Sequence, residues 1–133
     1  MKLTKRAGYG LRFLVLLARE PERFWSARDL AEQEGLSETF VRQVLMRLRR
    51  AGFLETERGR RGGYKLAQPP ERIRVAAVLR ALEEDLALAL AGERARALHE
   101  PDKRCPTAAF WTRTEKKFWE DLEEATLADL LQG

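Results

Sequence analysis

Apolar residues near the start of the chain recur at a helical interval. Leu11, Leu14, Val15 and Ala18 fall at i, i+3, i+4 and i+7, which predicts a helix over residues 4–19. Tyr9, Phe13, Leu16 and Leu17 widen the stripe almost all round, so this helix is expected to be covered on two sides, and Pro21 ends it. Ser26-Ala27-Arg28-Asp29 fits a capping box opening a second helix, with Leu30 and Ala31 facing inward and Gly35 closing it. Ser37 caps a third helix that runs to about Ala51 and stops at Gly52.

The period then changes. Phe53–Glu57 and Tyr64–Ala67 read as two short strands joined by Arg58-Gly59-Arg60-Arg61-Gly62-Gly63, whose glycines suit a tight hairpin. Pro69-Pro70 marks a boundary, after which Val75, Val78, Leu79 and Leu82 restore helical spacing over Val75–Leu82. Residues 92–107 lack periodicity and contain Gly92, Pro101 and Pro106, as a loop would. A long helix is expected from about Ala108 to Glu124, and Thr126-Leu127-Ala128-Asp129 looks like the capped start of a short terminal one. No internal repeat stands out. The longest apolar runs, Phe13–Ala18 and Leu86–Ala91, are six residues each and far short of a bilayer span.

These elements predict a mostly helical α+β protein. Residues 1–70 would form a winged helix-turn-helix with a two-stranded wing; residues 71–133 would carry a linker helix, a sensor-like loop (92–107) and a long C-terminal dimerisation helix. The third helix makes the functional case. Val41, Val44, Leu45 and Leu48 share the face that would pack inward. At about 100° per residue the opposite face shows Thr39, Gln43 and Arg50, flanked by Arg42, Met46 and Arg47. Arginine, glutamine and threonine are side chains that read base edges, and further arginines suit phosphates. An ordinary solvated helix face is the competing reading, although such faces usually carry both charge signs and this helix has no acid beyond Glu38.

Charge sharpens the picture. The net charge is only +4, but residues 1–70 hold 15 Lys and Arg against 8 Asp and Glu, while residues 71–133 hold 10 against 13. A basic half joined to a mildly acidic one suggests one face for a polyanion and another for self-association, with chance clustering as the alternative. Three arginines at Arg58, Arg60 and Arg61 on a glycine-rich tip would repel one another unless a polyanion neutralised them. A nucleotide-binding nest is the rival idea for that tip, but the segment joins two strands and opens no helix. The basic start at Lys2, Lys5 and Arg6 lacks a following cleavage site, so the chain is expected to be cytoplasmic, consistent with a single Cys105.

The run from Gly35 through Leu54, followed by Arg58-Gly59 and Gly62-Gly63-Tyr64-Lys65-Leu66, resembles the Rrf2 family of winged-helix regulators. Leu3-Thr4 with Tyr9, the Val78-Leu79-Arg80-Ala81-Leu82-Glu83 helix and Thr126-Leu127-Ala128-Asp129-Leu130 extend the likeness over nearly the whole chain. That family includes regulators of iron–sulfur cluster assembly, nitric-oxide response and cysteine metabolism. The resemblance implies a homodimer on a pseudo-palindromic operator in double-stranded DNA. Its base contacts would fall at Thr39, Arg42 and Gln43, with Arg47, Arg50, Arg58, Arg60 and Arg61 at phosphates or the minor groove. Arg42 departs from the acid of the cluster assembly regulator, and Arg60-Arg61 replaces the proline-glycine common in that loop.

Many members of the family hold an iron–sulfur cluster on three cysteines before the long helix. Cys105 matches the third position, His99 aligns roughly with the second, and the first falls between Ala91 and Glu93 without a thiol. Ala108 and Gly8 cannot ligate either, so no cluster is expected. Glu93, His99 and Cys105 lack compact metal spacing. Cys105 is either a packed thiol or a redox-reactive sensor beside Lys103 and Arg104. A Cys–His hydrolase would need an orienting partner and a nucleophile turn that are missing.

In the long helix Trp111, Phe118, Leu122 and Ala125 line one stripe while Phe110 and Trp119 lie off it. Aromatics on more than one face suggest burial against both the chain's own domain and a second copy, making Trp111, Phe118, Trp119 and Leu122 the candidate dimer residues; a wide stripe folded on its own core is the alternative. The expectation is a DNA-binding regulator, a homodimeric repressor without catalytic site, metal or membrane partner, and with an unassigned small-molecule effector. A winged helix that contacts protein or RNA is the alternative.

Overall fold

The computed structural model describes residues 3–59, 62–83 and 106–132. Its first three helices are α1 (Lys5–Arg19), α2 (Ala27–Glu34) and α3 (Glu38–Arg50). Each begins at a hydroxyl cap. Thr4 accepts the Ala7 N–H, Ser26 the Asp29 N–H and Ser37 the Phe40 N–H, satisfying amides that a helix start leaves bare. Gly35 ends α2 at φ 65°, a left-handed conformation that favours glycine. At the end of α3, Gly52 has φ 89° and the Phe53 N–H returns to the Leu48 carbonyl. That return keeps Phe53 in the helix exit, so β1 begins one residue later than the apolar pattern suggests.

Strands β1 (Leu54–Glu57) and β2 (Gly63–Leu66) pair antiparallel, with Leu54 opposite Leu66 and Glu57 opposite Gly63. The hairpin is tied to the helices by Trp25, which exchanges both backbone hydrogen bonds with Tyr64 at 2.8 and 2.7 Å. Gly63 permits that approach: a Cβ there would lie 2.5 Å from the Trp25 carbonyl oxygen. A 3-10 turn (Pro70–Arg72) follows, then α4 (Val75–Leu82), α5 (Ala108–Glu124) and α6 (Leu127–Leu131).

The buried core crosses Pro69-Pro70. Ile73, Val78, Leu82 and Leu127 share one cluster with Phe13, Leu17, Leu45 and Leu48. Within α1 the buried seam runs through Ala7, Gly10, Phe13, Leu14 and Leu17, whereas Leu11, Val15 and Ala18 are only partly covered. The stripe is therefore turned from the Leu11–Val15–Ala18 line, because α4 lies against Gly10. A Cβ on Gly10 would stand 2.2 Å from Leu82 Cδ1, and Arg6 Nε donates to the Leu82 carbonyl at 2.6 Å.

Helix α5 closes a second cluster. Trp119, Leu122 and Ala125 pack on Ala7, Val75 and Leu79. The Arg80 guanidinium lies 4.6 Å from the Trp119 ring centre, and the Val75 N–H donates to the Ala125 carbonyl at 3.0 Å. Thr126 and Asp129 cap α6 reciprocally, and the Leu127 N–H reaches the Ile73 carbonyl. Among the described residues no helix is long and apolar enough to cross a membrane.

Candidate nucleic-acid interface

Helix α3 is divided sharply into two faces. Val41, Val44, Leu45 and Leu48 are completely buried, while Thr39, Arg42, Gln43, Met46, Arg49 and Arg50 are exposed and Arg47 is half-buried. The inner face is held by α1 and α2, so the outer side chains project from a fixed backbone. Glu38 sits in the first turn and Arg47, Arg49 and Arg50 in the last, each sign at the helix end whose partial charge it complements.

Arg42 is not free in the unbound chain. Its Nε donates to Glu38 Oε1 at 3.1 Å and its Nη2 reaches the same oxygen. Both partners are well exposed, and an exposed i,i+4 pair contributes only about 0.3–0.5 kcal/mol. Such a pair orients the guanidinium yet releases it readily to a stronger acceptor. The i,i+4 spacing of Glu38 and Arg42 is legible in the sequence, although the apolar pattern that marks the outward face carries no sign of the pair.

The hairpin lies directly after α3 in the chain. Arg58 and Gly59 are exposed, with Gly59 at φ 117°. Arg60 and Arg61 lie outside the described residues. At the base of the hairpin Lys65 pairs with Glu55 at 3.5 Å and stands 4.9 Å from the Phe24 ring centre. Arg23 stacks at 3.5 Å over Trp25, the residue that joins hairpin to helices. The Trp25 bridge has no periodic signal, being a single non-local pair, and patterning missed it.

Behind α3 lies a further group that patterning missed. Glu83, at the end of α4, is buried, and its Oε1 has no hydrogen-bond partner among the described residues. Burial pushes its carboxyl above the ordinary range, against the pull of Arg6 on α1 and Arg47 on α3. Arg47, half-buried on α3, thus also acts on a buried carboxyl.

Of the candidate dimer residues, Trp119 and Leu122 pack on α1 and α4 of their own chain. Phe118 is half-buried, edge-on to Trp119 with ring centres 6.4 Å apart, and Phe110 is 51% exposed. Trp111 lies in α5. Glu93, His99, Cys105 and all but the last two residues of the expected 92–107 loop lie outside the described residues.

Two capped helices on either side of Gly35-Leu36-Ser37, a third helix supporting them and a hairpin following the second define a winged helix-turn-helix protein. Residues 3–133 match the Rrf2 family, described as an iron-dependent transcriptional regulator, and the chain belongs to that family. It is 35% identical over 139 residues to the protein rrf2 of Nitratidesulfovibrio vulgaris, covering 99% of this chain and 88% of the relative. Among solved structures it is similar to IscR of T. potens, at 32% identity and TM-score 0.77, over 99% of this chain and 87% of that one. It is similar also to CymR of B. subtilis, the global cysteine regulator, at 31% identity and TM-score 0.78, over 99% and 97% of the two chains. The protein is a transcriptional regulator of this family.

Proposed function

We propose that the protein is a homodimeric repressor, without catalytic activity, that binds a pseudo-palindromic operator in double-stranded DNA. One observation carries the reading: α3 buries Val41, Val44, Leu45 and Leu48 completely while presenting Thr39, Arg42, Gln43 and Arg50 to solvent. In this reading Thr39, Arg42 and Gln43 meet base edges in the major groove. Arg47, Arg50, Arg58, Arg60 and Arg61 meet phosphates or the minor groove, the last three from the wing. Residues 1–70 are the DNA-binding unit, and residues 71–133 dimerise through Trp111 and Phe118, with Trp119 and Leu122 seating α5. The site of action is the cytoplasm, and the effector is a small molecule or the oxidation of Cys105.

The family description is iron-dependent, and the chain's donor chemistry bears on that. It has one cysteine and one histidine, and Gly8 on α1 offers no ligand atom. An iron–sulfur cluster takes three or four thiolate or imidazole ligands, so the donor set of one chain does not fit a cluster. Protein purified without oxygen should therefore be colourless and free of iron; a visible charge-transfer band with stoichiometric iron would overturn this.

The function is tested by selecting bound sequences from random duplexes and titrating the winner against salt. A two-fold symmetric preference, with affinity falling steeply as salt rises, is expected. Binding without sequence preference, or preference for single-stranded RNA, would defeat the proposal.

A further inference from the structure

Met46 is a large apolar side chain in the middle of a polar, basic surface. It is 47% exposed, although every inward position of α3 around it is fully buried. The helix has no structural use for it there: the core side is already filled by Val41, Val44, Leu45 and Leu48, and Met46 belongs to neither apolar cluster. Its position on the helix is informative. At 3.6 residues per turn, Thr39 lies about 20° from it around the axis, Arg42 and Arg50 about 40° to either side, and Gln43 about 60°. Met46 is therefore the centre of the outward face. It stands about 4.5 Å further along the axis than Gln43, comparable to the roughly 3.4 Å rise of one base pair.

A side chain so placed enters the major groove whenever Thr39, Arg42 and Gln43 do. It cannot donate a hydrogen bond, and its thioether accepts only weakly. Against a base edge or a phosphate it would leave polar atoms unpaired, a cost that favours a site with an apolar group. The major groove presents such a group on one base, the C5 methyl of thymine. The unbranched, polarisable methionine chain adapts to a methyl without requiring a fixed rotamer.

We infer that Met46 is a specificity-determining residue that packs on a thymine methyl, one base-pair step from the contact of Gln43. The inference rests on the DNA-binding reading above and adds a thymine requirement to it. Resemblance at the wing and at the polar base contacts does not supply that requirement, which follows from the exposure and position of this one side chain.

The test starts from the duplex selected with the wild-type protein. Each thymine is replaced in turn by deoxyuridine, which removes the methyl and leaves the hydrogen-bonding groups intact. Wild-type affinity should fall about fourfold at one thymine in each half-site, the equivalent of one buried methyl group. Met46→Ala should bind the parent duplex about fourfold more weakly and show no further loss at that thymine. Met46→Leu should retain most of the methyl dependence. The exposure of Met46 leaves the fold of Met46→Ala intact, which a circular dichroism melt verifies. Methyl losses of the same size in wild-type and Met46→Ala at every thymine, or none at all, would overturn the inference while leaving the DNA-binding reading standing. A pool that yields no preferred sequence would overturn both.

Discussion

Arg42 and Gln43 occupy neighbouring exposed positions on α3, but their surroundings differ. Arg42 carries its charge beside Glu38, whereas Gln43 has an uncharged amide that both donates and accepts. Arg42→Ala or Gln43→Ala should cost about 1–3 kcal/mol on the selected duplex and relax preference at one or two base pairs. Filter binding on selected and random DNA checks this; equal losses on both would reduce these side chains to phosphate contacts. Glu83 makes a different prediction, one about stability. Its carboxyl is raised by burial against the opposing pull of Arg6 and Arg47. A folded-state pKa above the unfolded one means that the group's favourable contribution is present in acid and lost as pH rises through the folded value. Glu83→Gln, which is neutral at all pH, should therefore be more stable than wild type near neutrality, with the advantage shrinking as the buffer is taken toward acid. Urea melts of both proteins across that range decide it, and a variant less stable at neutral pH would show that the pull of Arg6 and Arg47 outweighs burial.

The elements differ in how plainly the sequence announces them, and the reason is range. Ser26, Ser37 and Gly35 act within one turn of their own position, so α2 and α3 are legible from residue types alone. The inward face of α3 is legible because four apolar residues repeat at 3.6-residue spacing. The Trp25–Tyr64 bridge is not, since one pair across 39 residues leaves no periodicity, and only Gly63 hints at a close approach. Nor is the rotation of the α1 seam, which depends on where α4 lands against Gly10. Glu83 gives no signal either: a charged residue at a helix end usually reads as solvated, and its burial comes from the packing of α1 and α3 around it. The hairpin yields a prediction that belongs to the element. In the sequence Arg61 falls in the connection between β1 and β2, and β2 is anchored to the helices through the pairing of Tyr64 with Trp25. Arg61→Ala should weaken binding to all duplexes alike and lower the slope of log affinity against log salt by about 1. An unchanged slope would remove the wing tip from the contact set.

At the scale of the whole molecule the basic and acidic halves are not separate bodies, because one core runs from Phe13 and Leu45 to Ile73 and Leu127. A contact made by α5 with a second copy would therefore act on a frame continuous with α3. Helix α5 offers the means to separate folding from association. Trp119 and Leu122 are spent on Ala7, Val75 and Leu79 of their own chain, and Trp119 also lies under Arg80. Truncating them should loosen the attachment of α5 itself; a large buried aromatic typically costs about 3–5 kcal/mol on removal, and a half-buried one such as Trp119 less. Phe118 lies one position away, half-buried, with its described ring contact limited to the edge of Trp119. Phe118→Ala should accordingly lower the melting temperature less than Trp119→Ala while weakening self-association more. Sedimentation of the free protein over a dilution series, alongside thermal melts of the two variants, measures both quantities. If Phe118→Ala unfolds like Trp119→Ala and leaves association unchanged, α5 packs only on its own chain. A wild-type protein monomeric at micromolar concentration would remove the homodimer, and with it the expectation of a two-fold operator.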